Sequence, residues 1–231
     1  MSGTWAAVPV KGFANAKQRL APMFTRAERQ GLAAAMLEDV LTALAAAPLA
    51  GILVNTADRK SAALARRYGA RVVAIDARDG HTAAVAAMAR LLAKELAEAM
   101  LTVPGDIPRV TPAEISALVQ ASQPAPSFTI VPSRDWRGSN AVLLAPPDVM
   151  PLTFGDDSCF PHLETARRHN LEPVTVLLPG IALDLDQPDD VRAFLAADPP
   201  MPTRTFALLR ELTARRETAA DLATPREPSR R

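Results

Sequence analysis

Short apolar runs alternate along the chain with longer segments in which apolar residues recur at helical spacing. The short runs hold few polar residues, as strands do when both of their faces are buried. Their alternation with helical segments is typical of crossover units on a largely parallel sheet, so it predicts an α/β fold with helices on both sides of the sheet. The predicted strands cover residues 5–10, 51–56, 71–75, 99–103, 128–132, 141–145, 173–178 and 182–185.

Local signals mark where several helices begin and end. Thr25 with Glu28, and Thr111 with Glu114, have the spacing of capping boxes, and Gly69 fits a left-handed helix end. From about residue 199 the chain becomes rich in proline, arginine and glutamate. We therefore expect a main domain over residues 1–198 and an extension over 199–231, helical over 204–220 and disordered at its end.

Charge and composition narrow the classes of function. The chain has 231 residues, with 26 Lys and Arg against 25 Asp and Glu, and only 4% aromatic residues. This balance argues against a nucleic-acid surface, and the charges within the long Ala/Leu-rich segments argue against a membrane span. Cys159 is the only cysteine, so no internal disulfide can form. The chain does not open on a basic and then apolar leader, so we expect a reducing cytoplasm; a homodimer is left open.

Basic residues follow the first predicted strand. Lys11, Lys17 and Arg19 lie on or after the loop at its carboxyl end, the edge at which open α/β sheets bind ligands. Cations there suit a polyanion such as a nucleoside triphosphate, although an ordinary solvated loop would look the same. Neither the glycine-rich Walker motif nor the dinucleotide-binding fingerprint is present, so a nucleotide would bind by another design.

Acidic residues occur in two segments that could reach the same edge. Asp106 follows the strand predicted over 99–103, whereas Asp184 and Asp186 alternate with leucines, which places both carboxylates on one face of a predicted strand. Like charges so placed repel each other unless a cation lies nearby, and Mg²⁺ is the natural oxygen-liganded ion. Asp106 could instead cap its turn. With the nearby cations, these acids fit metal-assisted phosphoryl or nucleotidyl transfer.

Two later loops could bind a small anion. Gly138-Ser139-Asn140 and the segment from Gly155 to Ser158 offer backbone N–H groups and hydroxyls suited to a phospho-acid. The alternative is a pair of simple turns. His162 and His169 lie two helical turns apart, a spacing that favours independent roles over a shared metal.

Five short motifs, in order over residues 5–197, resemble those of the CofC/FbiD guanylyltransferases of coenzyme F-420 biosynthesis. Each is weak alone, and their shared register makes the resemblance specific. The motifs are Val8-Pro-Val-Lys with Ala16-Lys-Gln-Arg-Leu, Pro104-Gly-Asp-Ile-Pro, Gly138-Ser-Asn-Ala, Phe154-Gly with Ser158, and Leu183-Asp-Leu-Asp-Gln-Pro-Asp-Asp.

The resemblance implies a Rossmann-like three-layer sandwich with the nucleotide-diphospho-sugar transferase (GT-A-like) fold. It also implies a reaction in which a three-carbon phospho-acid attacks the α-phosphate of GTP, giving a guanylylated acid and pyrophosphate. The acceptors of the family are 2-phospho-L-lactate, phosphoenolpyruvate and 3-phospho-D-glycerate.

The resemblance also implies roles for individual residues. Lys17 and Asp106 are the expected catalytic residues, and Lys11, Lys17 and Arg19 are expected to bind the nucleotide. Mg²⁺ would be held by Asp106, Asp184 and Asp186. The acceptor acid would be bound by Ser139, which stands where the family commonly has threonine, and by Asn140, Gly155 and Ser158.

Two departures from the family pattern bear on specificity. His81 and Thr82 replace a Gly-Leu-Asn type of helix entry near the nucleotide, and Asp156 and Asp157 lie where less charged residues are commoner. Acids there would repel an anionic acceptor unless a metal or arginine compensates. The rival interpretations are a related nucleotidyltransferase with another nucleotide or acceptor, a non-catalytic metabolite-binding protein on the same fold, and a sugar transferase.

Overall fold

One seven-stranded sheet organises the residues that this computed structural model describes, which are 3–75, 80–197 and 202–223. In chain order the strands are β1 (Thr4–Pro9), β2 (Gly51–Asn55), β3 (Arg71–Val73), β4 (Ala99–Thr102), β5 (Ser127–Pro132), β6 (Ser139–Ala145) and β7 (Val174–Thr175). Their order in the sheet is β3-β2-β1-β4-β6-β5-β7. Strand β6 is antiparallel to both of its neighbours, and the other adjacent pairs are parallel, so the largely parallel sheet is confirmed.

The helices begin where the sequence signals place them. Thr25 and Glu28 form a complete capping box at the first helix, as do Thr111 and Glu114 at the fourth, and Gly69 has the left-handed backbone expected of a helix end. The helices are α1 (Arg26–Ala46), α2 (Arg59–Arg67), α3 (His81–Lys94), α4 (Pro112–Ala121), α5 (Cys159–Arg168), α6 (Pro188–Ala196) and α7 (Arg204–Ala223).

Successive residues of each strand enter opposite hydrophobic cores. In β2, Leu53 packs into the core that contains residues of α3 and α5, whereas Val54 packs into the core that contains residues of α1, α2 and α4. Both side chains are fully buried. The short strands are therefore apolar on both faces because a helical layer covers each one, and the predicted three-layer sandwich is confirmed.

One predicted strand is wrong. Residues 182–185 pair with no strand, because the segment crosses the edge of the sheet as a loop, with Leu185 donating its N–H to the carbonyl of Asp106. The predicted alternation survives nevertheless, since Leu183 and Leu185 are buried while Asp184 and Asp186 are partly exposed. The two carboxylates thus share one side of an extended loop, not of a strand. The strand predicted over 173–178 shortens to Val174–Thr175.

Helix α7 packs against the main body of the protein. Its Leu209 and Leu212 are buried in a third core, with residues of α1 and α6 and with Leu183 and Leu185. At its start, the buried carboxylate of Asp39 accepts the N–H groups of Arg204 and Thr205, both at 2.9 Å. The helix expected over 204–220 is confirmed, whereas the boundary after residue 198 stays a prediction and residues 224–231 lie outside the described residues.

None of the helices in the described residues has the length and apolar character needed to cross a bilayer.

Candidate active site

A cleft of about 1020 Å³ opens along the carboxyl edge of β1 and β4. Because parallel strands end at the same edge, the loops that follow them meet there. Every site residue expected from the sequence lines this cleft, namely Lys11, Lys17, Arg19, Asp106, Ser139, Asn140, Gly155, Ser158, Asp184 and Asp186. The sequence therefore located the cleft, and the contacts within it divide these residues into two groups.

Lys17 enters the cleft from an unusual backbone position. It has a φ of 53°, in the left-handed region, and it caps the short 3₁₀ helix Gln18–Leu20, which the fully buried Leu20 anchors. For a residue other than glycine this conformation costs on the order of 1 kcal/mol, so the surrounding contacts must hold it. Those contacts are made by the end of its side chain.

The ammonium group of Lys17 joins acids from two distant segments. Its Nζ lies 2.6 Å from Oδ2 of Asp106 and 2.7 Å from Oδ1 of Asp186, and only 7% of the side chain is exposed. Burial by itself would lower the pKa of Lys17, but the charges and hydrogen bonds of the two acids raise it. Burial would likewise raise the pKa of Asp186, but the charge and hydrogen bond of Lys17 lower it. Both groups are thus held in their charged forms.

Asp184 lies beside this ion pair with a neutral partner. Its Oδ1 accepts a hydrogen bond of 3.2 Å from Nδ2 of Asn140, which also donates to the carbonyl of Ile181 at 3.0 Å. Burial, and then the charge of Asp106, raise the pKa of Asp184. Asn140 was expected among the acceptor-binding residues, which stays a prediction, and in this structure its amide also contacts an acid. We call Lys17, Asp106, Asp184 and Asp186 the acidic end of the cleft.

The acidic end has the donor chemistry of a magnesium site but is not arranged as one. Among the described residues, no group of three or more His, Cys, Asp or Glu side chains is placed to hold a metal ion, since Lys17 draws Asp106 and Asp186 onto itself. The available ligands are carboxylate oxygens, which suit Mg²⁺. Burial and then the charge of Asp106 raise the pKa of Asp184, whose hydrogen-bond partner Asn140 is neutral, so a cation could still be accommodated beside it. The residues fit the ion, and its binding stays a prediction.

A second cluster at the cleft is built from hydroxyl groups and a histidine. Ser139 Oγ lies 2.8 Å from Nδ1 of His162 and receives a hydrogen bond of 3.2 Å from the buried Ser158 hydroxyl. Nε2 of His162 accepts the backbone N–H of Thr153 at 2.9 Å. Because the ring is buried, the pKa of His162 is lowered to about 4, so the imidazole is neutral near pH 7. We call Ser139, Ser158 and His162 the hydroxyl end.

The start of α3 holds the loop that contains Phe154. Thr82 Oγ1 accepts the N–H of Phe154 at 2.9 Å, and the rings of His81 and Phe154 meet edge to face at 4.5 Å. Phe154 in turn meets His162 at 5.0 Å. The two residues that depart from the family pattern therefore position Phe154, next to Gly155. This function was not anticipated from the sequence.

His162 is the main site residue that sequence reasoning missed. Its spacing from His169 was considered in the sequence analysis. Its spacing from Ser158 is the one that would have indicated its role. Residues four apart on a helix share a face, and Ser158 caps α5, so the side chain of His162 returns to the same hydroxyl cluster.

The acids of the nearby loop have basic partners. Asp157 Oδ1 lies 2.6 Å from Nε of Arg137, and Asp156 lies 3.9 Å from the guanidinium of Arg19. The charge of Asp157 also raises the pKa of Arg137, with the hydrogen bond between them as the larger cause. The arginine compensation that an anionic acceptor would need is thus in place.

The chain matches a known protein family over most of its length. The family model described as guanylyl transferase CofC like matches residues 4–216. The chain belongs to this family. Membership makes it a guanylyltransferase, which is one kind of nucleotidyltransferase, and confirms the resemblance seen in the motifs.

Relatives in this family share about a third of their residues with the chain. A phosphoenolpyruvate guanylyltransferase of Conexibacter woesei is 39% identical over 195 residues, covering 82% of this chain and 86% of its own. A 3-phospho-D-glycerate guanylyltransferase of Colwellia psychrerythraea is 31% identical over 195 residues, covering 84% of this chain and 92% of its own.

Solved structures bear on the fold of this CofC-like chain. A protein of Desulfovibrio desulfuricans G20 described as a nucleotide-diphospho-sugar transferase has a TM-score of 0.74 at 19% identity, covering 93% of this chain and 96% of its own. A CMP:2-keto-3-deoxy-manno-octonic acid synthetase has a TM-score of 0.56 at 14% identity, covering 84% and 98%. These likenesses confirm the nucleotide-diphospho-sugar transferase fold.

Proposed function

We propose that this guanylyltransferase transfers the guanylyl group of GTP to the phosphate of a three-carbon phospho-acid and releases pyrophosphate. The observation that carries the proposal is the division of one cleft into an acidic end, where Lys17 joins Asp106 and Asp186, and a hydroxyl end around Ser139. The printed names of the relatives, which specify phosphoenolpyruvate or 3-phospho-D-glycerate, support this class of acceptor.

In this proposal the acidic end handles the triphosphate. Lys17, with Lys11 and Arg19 from the same loop, lies where the phosphate oxygens and the leaving pyrophosphate would need positive charge. Asp106, Asp184 and Asp186 would hold Mg²⁺. That ion would neutralise phosphate oxygens and stabilise the charge of the leaving group. On binding GTP, Lys17 would exchange at least one of its carboxylate partners for a phosphate oxygen.

The hydroxyl end would align the acceptor. The hydroxyl of Ser139, which Ser158 supports by donating to its oxygen, and the exposed backbone of Gly155 can donate hydrogen bonds to carboxylate or phosphate oxygens without placing a second full charge in the cleft. The attacking group is a phosphate oxygen that already carries negative charge, so no general base is required. Catalysis would consist of alignment of this oxygen with the α-phosphate, together with charge neutralisation.

The test is pyrophosphate release by the purified protein. Each of the four ribonucleoside triphosphates is combined with phosphoenolpyruvate, 3-phospho-D-glycerate or 2-phospho-L-lactate, with Mg²⁺ or with a chelator. We expect release that requires GTP, one of the acids and Mg²⁺ together. Turnover with another nucleotide would favour a related nucleotidyltransferase, and GTP binding without product would favour a binding protein.

The product would then be a guanylylated phospho-acid for coenzyme F-420 biosynthesis, as the motif resemblance implies. Mass spectrometry of the reaction mixture identifies that product directly. A product with the mass of GMP joined to the acid supports the proposal, whereas free GMP would indicate hydrolysis of the nucleotide.

A further inference from the structure

The hydrogen bonds around His162 fix which of its ring nitrogens carries the proton. Nε2 lies 2.9 Å from the backbone nitrogen of Thr153. A backbone N–H can only donate, so Nε2 must present a lone pair. A neutral imidazole has one N–H, which must therefore be on Nδ1, 2.8 Å from the hydroxyl oxygen of Ser139.

The surroundings of the ring keep it neutral and immobile. His162 is 1% exposed, and the Phe154 ring packs edge to face against it. The groups that its nitrogens contact, the Thr153 N–H and the Ser139 hydroxyl, are neutral as well. Burial lowers the pKa of His162.

This arrangement sets the direction of the Ser139 hydroxyl. Its oxygen accepts from Nδ1 of His162 and from the hydroxyl of Ser158 at 3.2 Å. A serine oxygen has two lone pairs, so both are then used and the remaining O–H must point elsewhere. Ser139 is only half-buried and lines the cleft, which is where its proton can find an acceptor.

We propose that His162 is a positioning residue that holds the Ser139 hydroxyl as a hydrogen-bond donor toward an anionic oxygen of the acceptor acid. The inference rests on the proposed function, because it takes the phospho-acid as the ligand of this end. A free hydroxyl can rotate and either donate or accept, whereas this one can only donate. The hydroxyl end is thus prepared for an acid and disfavours a neutral ligand that offers donors.

Two substitutions at position 162 separate the two functions of the ring. In His162→Asn the amide nitrogen takes the place of Nδ1 and can still donate to Ser139. In His162→Gln the amide oxygen takes the place of Nε2 and can still accept from Thr153, but the donor to Ser139 is lost. Both variants lose ring packing against Phe154, so a purely structural role predicts similar defects in the two.

The measurement is steady-state kinetics with GTP and the acceptor varied separately. For His162→Gln we expect the KM of the acceptor to rise roughly tenfold or more, since the Ser139 hydroxyl is then no longer held as a donor toward the charged acceptor. The KM of GTP should stay within about threefold, and His162→Asn should keep the acceptor KM within about threefold of the parent. Equal rises in both variants would overturn the inference.

A double variant tests whether His162 acts through Ser139. In the Ser139→Ala background, adding His162→Gln should produce no further rise in acceptor KM, because the hydroxyl that the ring orients is gone. A full additional rise would assign His162 a separate role and contradict the inference.

The protonation state of the His162 ring can be measured directly, without any variant or substrate. The chain has 3 histidines, so nitrogen NMR of the ¹⁵N-histidine-labelled protein resolves each ring. We expect a neutral ring at pH 7 with the proton on Nδ1 of His162. A proton on Nε2, or a charged ring, overturns the inference whatever the enzyme does. If the parent protein makes no product with any nucleotide and acid, the proposed function is wrong, and the proposed role of His162 in acceptor binding is then wrong as well.

Discussion

The side chains at the two ends of the cleft are held in place by different interactions, ion pairs at one end and hydrogen bonds between neutral groups at the other. At the acidic end, Lys17 holds Asp106 and Asp186 at 2.6 and 2.7 Å, so the order there comes from attraction between opposite charges. At the hydroxyl end, neutral groups fix one another by the direction of their hydrogen bonds, with the pKa of His162 lowered by burial. The ion pairs of the acidic end can therefore exchange partners when a charged ligand binds. At the hydroxyl end, the direction in which the Ser139 hydroxyl donates is fixed before any ligand binds.

This difference matches what each ligand would require. A triphosphate and a divalent cation need charges that can be exchanged during binding and release, and the lysine bridge provides them. A small acid needs alignment, which rigid neutral donors supply without holding the product by strong charge attraction. If the ends differ in this way, substitutions at each should have effects of different size and kind.

Removal of a carboxylate at the acidic end should have the largest effect. In Asp186→Asn, a partner of Lys17 and an expected metal ligand are lost, and metal-dependent charge stabilisation is worth several kcal/mol. We expect kcat/KM to fall on the order of 100-fold or more, with a melting temperature close to that of the parent. Pyrophosphate release and thermal unfolding are measured on the same preparation.

Asp189→Asn is the matched control for this change. Asp189 lies in the first turn of α6, is 83% exposed, and pairs with Arg192 on the surface. Such a pair contributes little, so turnover should stay within about twofold. The acidic end would lose its assigned importance if both variants behaved alike.

The sequence was enough to predict which residues form the acidic end, but not which of them contact each other. Strand ends, acids and cations are local signals, and the topology of a parallel sheet brings them to one edge. The partner of each acid depends on packing across 89 and 169 residues of chain, as Lys17 shows with Asp106 and Asp186. No local sequence pattern can show which residues pair across such long separations along the chain.

The hydroxyl end was harder to predict because neutral networks leave little trace in a sequence. Ser139 and Ser158 were found through motifs, yet His162 was judged by its spacing from His169 and its role was missed. The loop over 182–185 shows the opposite case. There the alternation of Leu183 and Leu185 with acids predicted correctly which side chains are buried, although the segment is not a strand. Any extended segment with one buried side shows this two-residue period.

The second prediction concerns the exchange of charge at Lys17. In Lys17→Met the two partly exposed carboxylates lose a nearly buried cation, which should destabilise the fold in the presence of a chelator. A cation that binds only the native state restores stability, so Mg²⁺ should raise the melting temperature of this variant more than that of the parent.

Arg19→Met is the control for the lysine change. Arg19 is 60% exposed and 3.8 Å from Asp186, so its loss should leave the Mg²⁺ response nearly unchanged. Thermal melts with Mg²⁺ and with EDTA give the comparison. A melting temperature of Lys17→Met that does not respond to Mg²⁺ would argue against metal binding at the acidic end.

The third prediction is a pH dependence that belongs to the hydroxyl end. The pKa of His162 is about 4 in the fold, against a usual value of 6.5, so the unfolded chain binds more protons between these values. The stability gained from a neutral ring is complete above pH 6.5 and is lost as the pH falls toward 4, by about 3 kcal/mol. Urea unfolding across this range should show a shallower loss in His162→Asn than in the parent. His169→Asn removes an exposed histidine for comparison, and equal slopes in the parent and His162→Asn would refute the assignment.

The smallest effect should come from the acidic loop beside the hydroxyl end. Asp157 and Arg137 are paired at 2.6 Å and both side chains are exposed, so water screens each of them from the cleft. In Asp157→Asn the acceptor KM should change by less than about threefold, and raised salt should reduce even that difference. Arg137→Gln, which leaves the acid uncompensated, should raise acceptor KM by more than Asp157→Asn lowers it. A tenfold drop in KM for Asp157→Asn would mean that the loop repels the acceptor, and the hydroxyl end would then be governed by charge as the acidic end is.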